Sequence, residues 1–379
     1  MMWKVASYIA NDDRKTGFTY HKAAFKLLGL FYWGEKNWFQ VFYEWYPIVN
    51  LGIGATLLTI DVIQKGQSAS SKAFIELVKG SVLVFTLYFA MVKLVLFQLY
   101  SKEIRQAIDF LESLPKIGGT DTSANTRKTL VRYSVLLLTT GCGWAFFNSI
   151  HTGSPYVCYW PFETPRPKIF FLLLAFVQKL MVIGYCVSAH SAVDTSFPML
   201  VTYMAYQGTR LVSLLETLGK NKYEYKKFKE GVNIHINILK SMGYVQSAFR
   251  VLFMCQVTYT IVHACVIAFS ALKVGNIMFV ITSLVPILCS AYVQLFIYCQ
   301  AGERMTDIMD KIAVAVCDNT WYESDLKIKK SMVLMLQMAN KSVTMNKLGV
   351  YTASLKTYLN SVQESFSCFL ALKTVSSKL

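Results

Sequence analysis

Apolar runs long enough to cross a bilayer recur seven times along the chain, separated by shorter polar stretches. A span needs about 20 mainly apolar residues to cover a hydrocarbon core of ~30 Å. The expected spans are residues 39–62, 74–100, 130–150, a run from 169 that continues as helix past His190, 248–272, 277–300 and 346–375. The pattern predicts an all-α, polytopic membrane protein with seven transmembrane helices. Pro47, Gly52 and Gly54 interrupt the first span, which a packed bundle tolerates. The last span is unlike the others. Ala353, Thr357, Asn360, Glu364, Ser367, Ala371 and Thr374 follow one another in steps of four and three, which stacks small and polar side chains along one helical face. Leu355, Leu359, Val362, Phe366, Phe369 and Leu370 occupy the rest. Such a stripe suits a pore lining, and it suits equally the close packing of small residues between helices.

Composition agrees with the pattern. The 379 residues are 54% hydrophobic and 16% charged, with a mean hydropathy of +0.39. The net charge of +16 brings no nucleic-acid-binding motif with it, and nucleic acid is not an expected partner. Most of the 38 lysines and arginines fall in residues 1–38, 100–132, 194–250 and 300–344. Positive charge is retained on the cytoplasmic side, which predicts a cytosolic N-terminus and an extracellular C-terminus, the reverse of a G-protein-coupled receptor. The expected organisation is a cytosolic segment 1–38 with a short interfacial or re-entrant helix, spans one to four over 39–193, cytosolic helix extensions over 194–247, spans five and six over 248–300, a cytosolic anchor segment over 301–344, and the last helix with its tail over 345–379. No cleaved signal peptide is expected. Residues 220–230 read as a charged hinge between two helix extensions, and Leu326, Lys329, Lys330, Val333, Leu334, Leu336 and Gln337 as an amphipathic helix with Asp325 near its start. Together the extensions predict a cytosolic anchor bundle where subunits associate.

Catalytic signatures are missing from the sequence: there is no HExxH, GxSxG or Walker A stretch, and the five histidines are dispersed. The protein is expected not to be an enzyme and to carry no cofactor or metal. The nine cysteines lack metal-ligand spacing and mostly sit in apolar runs as small hydrophobes. Aromatic residues gather toward one end of spans two to six, among them Trp144, Phe146, Phe147 with Asn148, and Phe170 with Phe171. An apolar cavity with a few polar groups suits a small volatile or lipid-like ligand. The candidate contact set is Phe85, Tyr88, Phe89, Gly143, Phe146, Phe147, Phe171, Leu174, Gln178, Phe279 and Ser283. Lys179, deep in the fourth span, needs protein or water around it, whereas Lys93 is expected to snorkel to its nearby cytosolic interface.

Four stretches in chain order carry a resemblance. Residues 155–163 read Pro-Tyr-Val-Cys-Tyr-Trp-Pro-Phe-Glu ahead of the fourth span, with Gln178 downstream. Asp194-Thr195-Ser196-Phe197 leads to Leu200, Gln207 and Leu211, and Trp321-Tyr322 precedes the basic amphipathic helix. Ser354-Leu355, Tyr358 and Ser365-Phe366-Ser367-Cys368-Phe369 lie in the last span. In these stretches the chain resembles the insect odorant receptor family over most of its length. The resemblance implies a ligand-gated, non-selective cation channel in the plasma membrane of olfactory sensory neurons. An odorant-tuned subunit would assemble there with the shared odorant receptor co-receptor into a heterotetramer, through the cytosolic anchor and helix seven. It implies odorant binding between helices two to six, and a pore lined by helix seven at Asn360, Glu364, Ser367, Ala371, Thr374 and Val375, gated near the last three. Ala371 is smaller than the family's branched residue, Thr374 stands for a glutamine-like group, and the co-receptor's long cytosolic insertion is missing, which favours a tuning subunit. The alternatives are a metabotropic seven-helix chemoreceptor, which predicts an extracellular N-terminus, and a gustatory-receptor-like homomeric channel.

Overall fold

The computed structural model describes residues 38–66, 71–114, 169–218, 225–274, 280–341 and 352–376, together with residues 25, 28–30, 135 and 277. Eight α-helices follow in order: α1 Trp38–Gly66, α2 Ser71–Leu99, α3 Ser101–Ser113, α4 Ile169–Leu218, α5 Tyr225–Val274, α6 Val285–Cys317, α7 Leu326–Ala339 and α8 Leu355–Ser376. A π-helical turn, Val280–Leu284, leads into α6, and a 3₁₀ turn, Trp321–Glu323, precedes α7. Among the described residues all regular structure is helical. The expected third span, most of the N-terminal segment and the 155–163 loop lie outside the described residues.

Length sets the architecture. At 1.5 Å per residue, the 50 residues of α4 and of α5 each make a rod of about 75 Å, more than twice a hydrocarbon core. Both therefore run far beyond any bilayer, and the fourth and fifth spans continue without a break into their extensions. The sixth does the same, reaching Cys317 as helix. Among the described residues, five helices (α1, α2, α4, α5, α6) contain stretches long and apolar enough to cross a membrane. α8 has the length, at 22 residues, but Lys356, Asn360, Gln363, Glu364 and Lys373 make it more polar than those five.

α5 runs through the middle, touching α2, α3, α4, α6, α7 and α8, while α1 lies along α2 and α6 along α4. The extensions are amphipathic where the spans are not. On α3, Ile104, Ala107, Ile108 and Leu111 recur at helical spacing and are buried, while Lys102, Gln106 and Asp109 face out. No helix was expected in this stretch after span two. On α7 the buried stripe is Ile328, Met332, Met335 and Ala339, leaving Leu326 and Leu334 exposed. Two side-chain bonds tie the extension ends together: Arg210 pairs with Glu230 across α4 and α5, and Asn319 donates to the Leu215 carbonyl at 2.7 Å.

Two positions depend on backbone freedom. Gly29 adopts φ +68° against the Tyr43 carbonyl. Gly302 on α6 lies so close to Ala353, just before α8, that a Cβ there would overlap the Ala353 carbonyl and methyl.

Candidate functional site

An ion pair sits at the centre of the bundle. Lys93 on α2 places its Nζ 2.7 and 2.8 Å from the two carboxylate oxygens of Asp194 on α4, and both side chains are shut off from solvent. The same ammonium donates to Gln294 Oε1 on α6 at 3.3 Å and lies 3.2 Å from His190 Nδ1. Tyr298, also on α6, donates its hydroxyl to Asp194 at 3.2 Å, and Gln256 on α5 reaches Gln294 at 3.5 Å. Four helices thus meet through one polar knot. Burying a charge is tolerable only when it is paired and hydrogen-bonded, and this knot supplies both. The snorkelling expected of Lys93 is therefore corrected: Asp194 lies one helix away at the same level and holds the lysine inward. The backbone yields at the same place. Pro198 cannot donate to the carbonyl of Asp194 four residues earlier, so α4 lacks one ladder bond there, and Thr195 and Ser196 bond back to the Ser191 and Val193 carbonyls. Lys179, earlier on α4, is buried too.

Above the knot lies an aromatic stack. Phe89, one turn before Lys93, stacks on Tyr259 of α5 at 3.8 Å between centroids and 3° between planes, and Phe85 stacks on the same tyrosine at 5.4 Å. His263 meets Tyr259 and Phe85 edge-on at 4.8 and 5.5 Å. Lys93 Nζ is 4.7 Å from the Phe89 ring centroid, so a cation–π contact joins stack to ion pair. Ala291 on α6 closes the cluster.

Of the residues expected to touch ligand, Phe85 and Phe89 are in this stack. Tyr88 points to the main core on another face of α2. Leu174 is exposed, and Gln178 accepts a bond from Asn50 of α1 at 3.4 Å. Ser283 lies in the π-helical turn before α6; its side chain, that of Phe171 in α4, Phe279, and Gly143, Phe146 and Phe147 of the third span are outside the described residues. Sequence reasoning missed Tyr259, His263, Gln256, Gln294 and the Lys93–Asp194 pair. Part of the signal was available, since Gln256, Thr260 and His263 repeat at helical spacing in the fifth span, whereas Asp194 stands at the first residue of the expected cytosolic extension.

α8 presents two distinct polar faces. Ser354 accepts from the backbone N–H of Thr357 at 3.3 Å, as an N-cap does, and Glu303 of α6 accepts from the N–H of Leu355 at 3.2 Å, placing a carboxylate on the positive end of the helix. Thr357, Ser361 and Ser365 form the buried seam against α5 and α6, with the Ser361 and Ser365 hydroxyls bonded to carbonyls four residues back. Of the residues named for the pore, Asn360, Ser367, Ala371 and Thr374 are exposed, Glu364 is half-buried, and the side chain of Val375 is outside the described residues. Close packing is thus carried by a neighbouring set of hydroxyls, and four of the named residues are left outside the seam.

Long apolar helices around a buried polar centre define a multi-pass membrane protein. The family model described as 7tm Odorant receptor matches residues 73–366, and the chain belongs to the insect odorant receptor family, whose members are receptors and not enzymes. It is similar to odorant receptor 85d of Drosophila melanogaster, 21% identical over 236 residues, 61% of this chain and 57% of that one. It is also similar to odorant receptor Or1 of Anopheles gambiae, 26% identical over 166 residues, 41% of this chain and 37% of that one. These matches span little more than half the length of such relatives, or less. The fold matches the insect olfactory receptor OR5 of Machilis hrabei, solved in complex with eugenol, with a TM-score of 0.74 at 13% identity, covering 94% of this chain and 98% of that one.

Proposed function

We propose that the chain is the odorant-sensing subunit of a heteromeric ligand-gated cation channel. A small volatile hydrophobic ligand binds within the bundle at the Phe85–Phe89–Tyr259 stack, and α8 lines a pore shared with co-receptor subunits in the plasma membrane of olfactory sensory neurons. The observation that carries this reading is the division of α8 into a hydroxyl seam that packs and a separate exposed row, Asn360, Ser367, Ala371 and Thr374. A polar row outside the packed seam of a membrane helix needs water or another chain, and a pore formed between subunits provides both. The N-terminus is cytosolic, and the ends of α4, α5 and α6 with α7 form the anchor through which subunits associate, supported by the Arg210–Glu230 and Asn319–Leu215 ties.

Ligand opens such a channel only by binding the open form more tightly than the closed one. The direct test expresses the chain with and without a co-receptor and records odour-evoked current, with tags on both termini stained on unpermeabilised cells. Current that requires both chains, with a hidden N-terminal tag, is expected. G-protein signalling without current, or an exposed N-terminus, points to the metabotropic alternative and overturns the reading. Within the pore, Glu364→Gln is expected to lower the preference for cations, read as a shift in reversal potential under a salt gradient; an unchanged potential removes Glu364 from the conduction path.

A further inference from the structure

His263 is fully buried on α5, and neither nitrogen of its ring has a hydrogen-bond partner. A neutral imidazole carries one donor and one acceptor, and interior polar groups are almost always paired. The other polar side chains nearby are each at least partly engaged, with Gln256 Oε1 and His190 Nε2 left without partners, whereas His263 lacks one on both nitrogens. Gln256 bonds Thr260 and Gln294, Thr260 bonds the Gln256 carbonyl, and His190 faces the Lys93 ammonium. His263 contacts only apolar faces in this cluster, the rings of Tyr259 and Phe85. It stands one turn from Tyr259 on the side away from Gln256, and no side chain of the knot bonds it. A molecule that arrives with the matching group completes its hydrogen bonding.

We propose that His263 is the hydrogen-bonding anchor of the ligand site and selects small neutral ligands that carry a single oxygen function, a hydroxyl or a carbonyl, on an otherwise apolar body. The inference rests on the reading that odorants bind at the Phe85–Phe89–Tyr259 stack. The chemistry follows from the ring. One nitrogen accepts from a hydroxyl or the other donates to a carbonyl, while the flat faces of Phe85 and Tyr259 take the hydrocarbon portion. A hydrocarbon of the same shape leaves both nitrogens unpaired, and sites built to bond a polar group reject the analogue that lacks it.

The test measures odour-evoked current from the full-length chain expressed with a co-receptor, using matched pairs of an alcohol or ketone and the hydrocarbon of the same skeleton. Wild type is expected to prefer the oxygenated member by about 10-fold or more in half-maximal concentration. His263→Phe is expected to abolish that preference, read as the ratio of half-maximal concentrations within each pair with surface delivery measured in parallel, and His263→Gln, which keeps a donor and an acceptor, to restore much of it. Phe89→Ala separates the two levels of the argument by weakening both members of every pair alike. If Phe89→Ala weakens all ligands and His263→Phe leaves the preference unchanged, the anchor assignment falls while the stack stands as the site. If neither variant moves any ligand, the site reading falls and the anchor with it.

Discussion

Lys93→Met tests whether the ion pair is structural to the bundle. The change removes the ammonium and strands Asp194, fully buried, with the Tyr298 hydroxyl and the His190 ring as its remaining polar neighbours. At the observed 2.7 Å and an effective dielectric of ~20, the lost Coulomb attraction is about 6 kcal/mol. The net cost is smaller, because both charges were desolvated to form the pair, and breaking one partner of a buried pair typically costs ~3–5 kcal/mol. A stranded carboxylate also has an escape, since taking up a proton at pH 7 from the ordinary Asp value costs about 4 kcal/mol. The expected loss is therefore about 3–4 kcal/mol, a fall in apparent melting temperature on the order of 4–5 °C, measured by fluorescence-detected size exclusion of the solubilised receptor after heating. Asp194→Leu is expected to cost as much by stranding the lysine. The double variant Lys93→Met/Asp194→Leu, with no charge left to bury, is expected to recover most of the loss. A single variant that melts within about 1 °C of wild type, or a double variant no better than either single, refutes the argument that pairing is what permits these charges in the bundle.

Other expectations concern α8. Gly302→Val pushes a side chain into the Ala353 backbone and should cost ~1–3 kcal/mol by overpacking. Odour-evoked current should fall more than surface delivery, and normal current would mean the α6–α8 joint does not matter to gating. Cys265 donates its thiol to the Ser365 carbonyl at 3.6 Å and lies beside Cys368, one turn along α8. A copper-phenanthroline oxidant that passes the two thiols' electrons and protons to oxygen should join α5 to α8 by a disulfide and reduce current. Dithiothreitol should reverse the block and Cys368→Ser should prevent it; full current through protein shown to be cross-linked would mean that α8 does not move against α5.

The helical class and most of the spans were legible because a bilayer leaves only one economical way to satisfy the backbone of a long apolar run. Continuity of α4, α5 and α6 beyond the spans was partly visible, since polar residues from Asp194 onward kept helical spacing without a helix stop. α3 was readable from Ile104, Ala107, Ile108 and Leu111 but hidden by its charged neighbours, which made the segment look like a loop. At the site, Phe85 and Phe89 could be named from their spacing, whereas Tyr88 could not be set apart from them, because one residue of helix turns the side chain by 100° and only packing tells which direction is inward. On α8 the stripe drawn from spacing began on the buried face at Ala353 and Thr357 and was on the exposed one from Asn360 onward, Glu364 being half-buried. Steps of four and three drift relative to 3.6 residues per turn, and a seam chosen by partners on α5 and α6 cannot be placed from one helix alone.

The two candidate sites are joined by adjacent parts. Phe89 touches Lys93 through its ring face, Lys93 holds Asp194, Asp194 receives the Tyr298 hydroxyl, and one turn along α6 from Tyr298 is Gly302, against which Ala353 sets the start of α8. Adjacency of this kind supplies a route and not a coupling energy, which exists only if an element on the route has two arrangements that ligand biases differently. The turn of α4 over 191–198 is the place to look, because Pro198 removes the donor to the Asp194 carbonyl and the Thr195 and Ser196 hydroxyls bond carbonyls of the same turn. The Lys93→Met/Asp194→Leu pair separates the two roles of the knot. If the knot only holds helices together, the double variant regains both melting temperature and ligand sensitivity. If it also carries the displacement of Phe89 to α8, melting temperature returns while ligand-evoked opening does not.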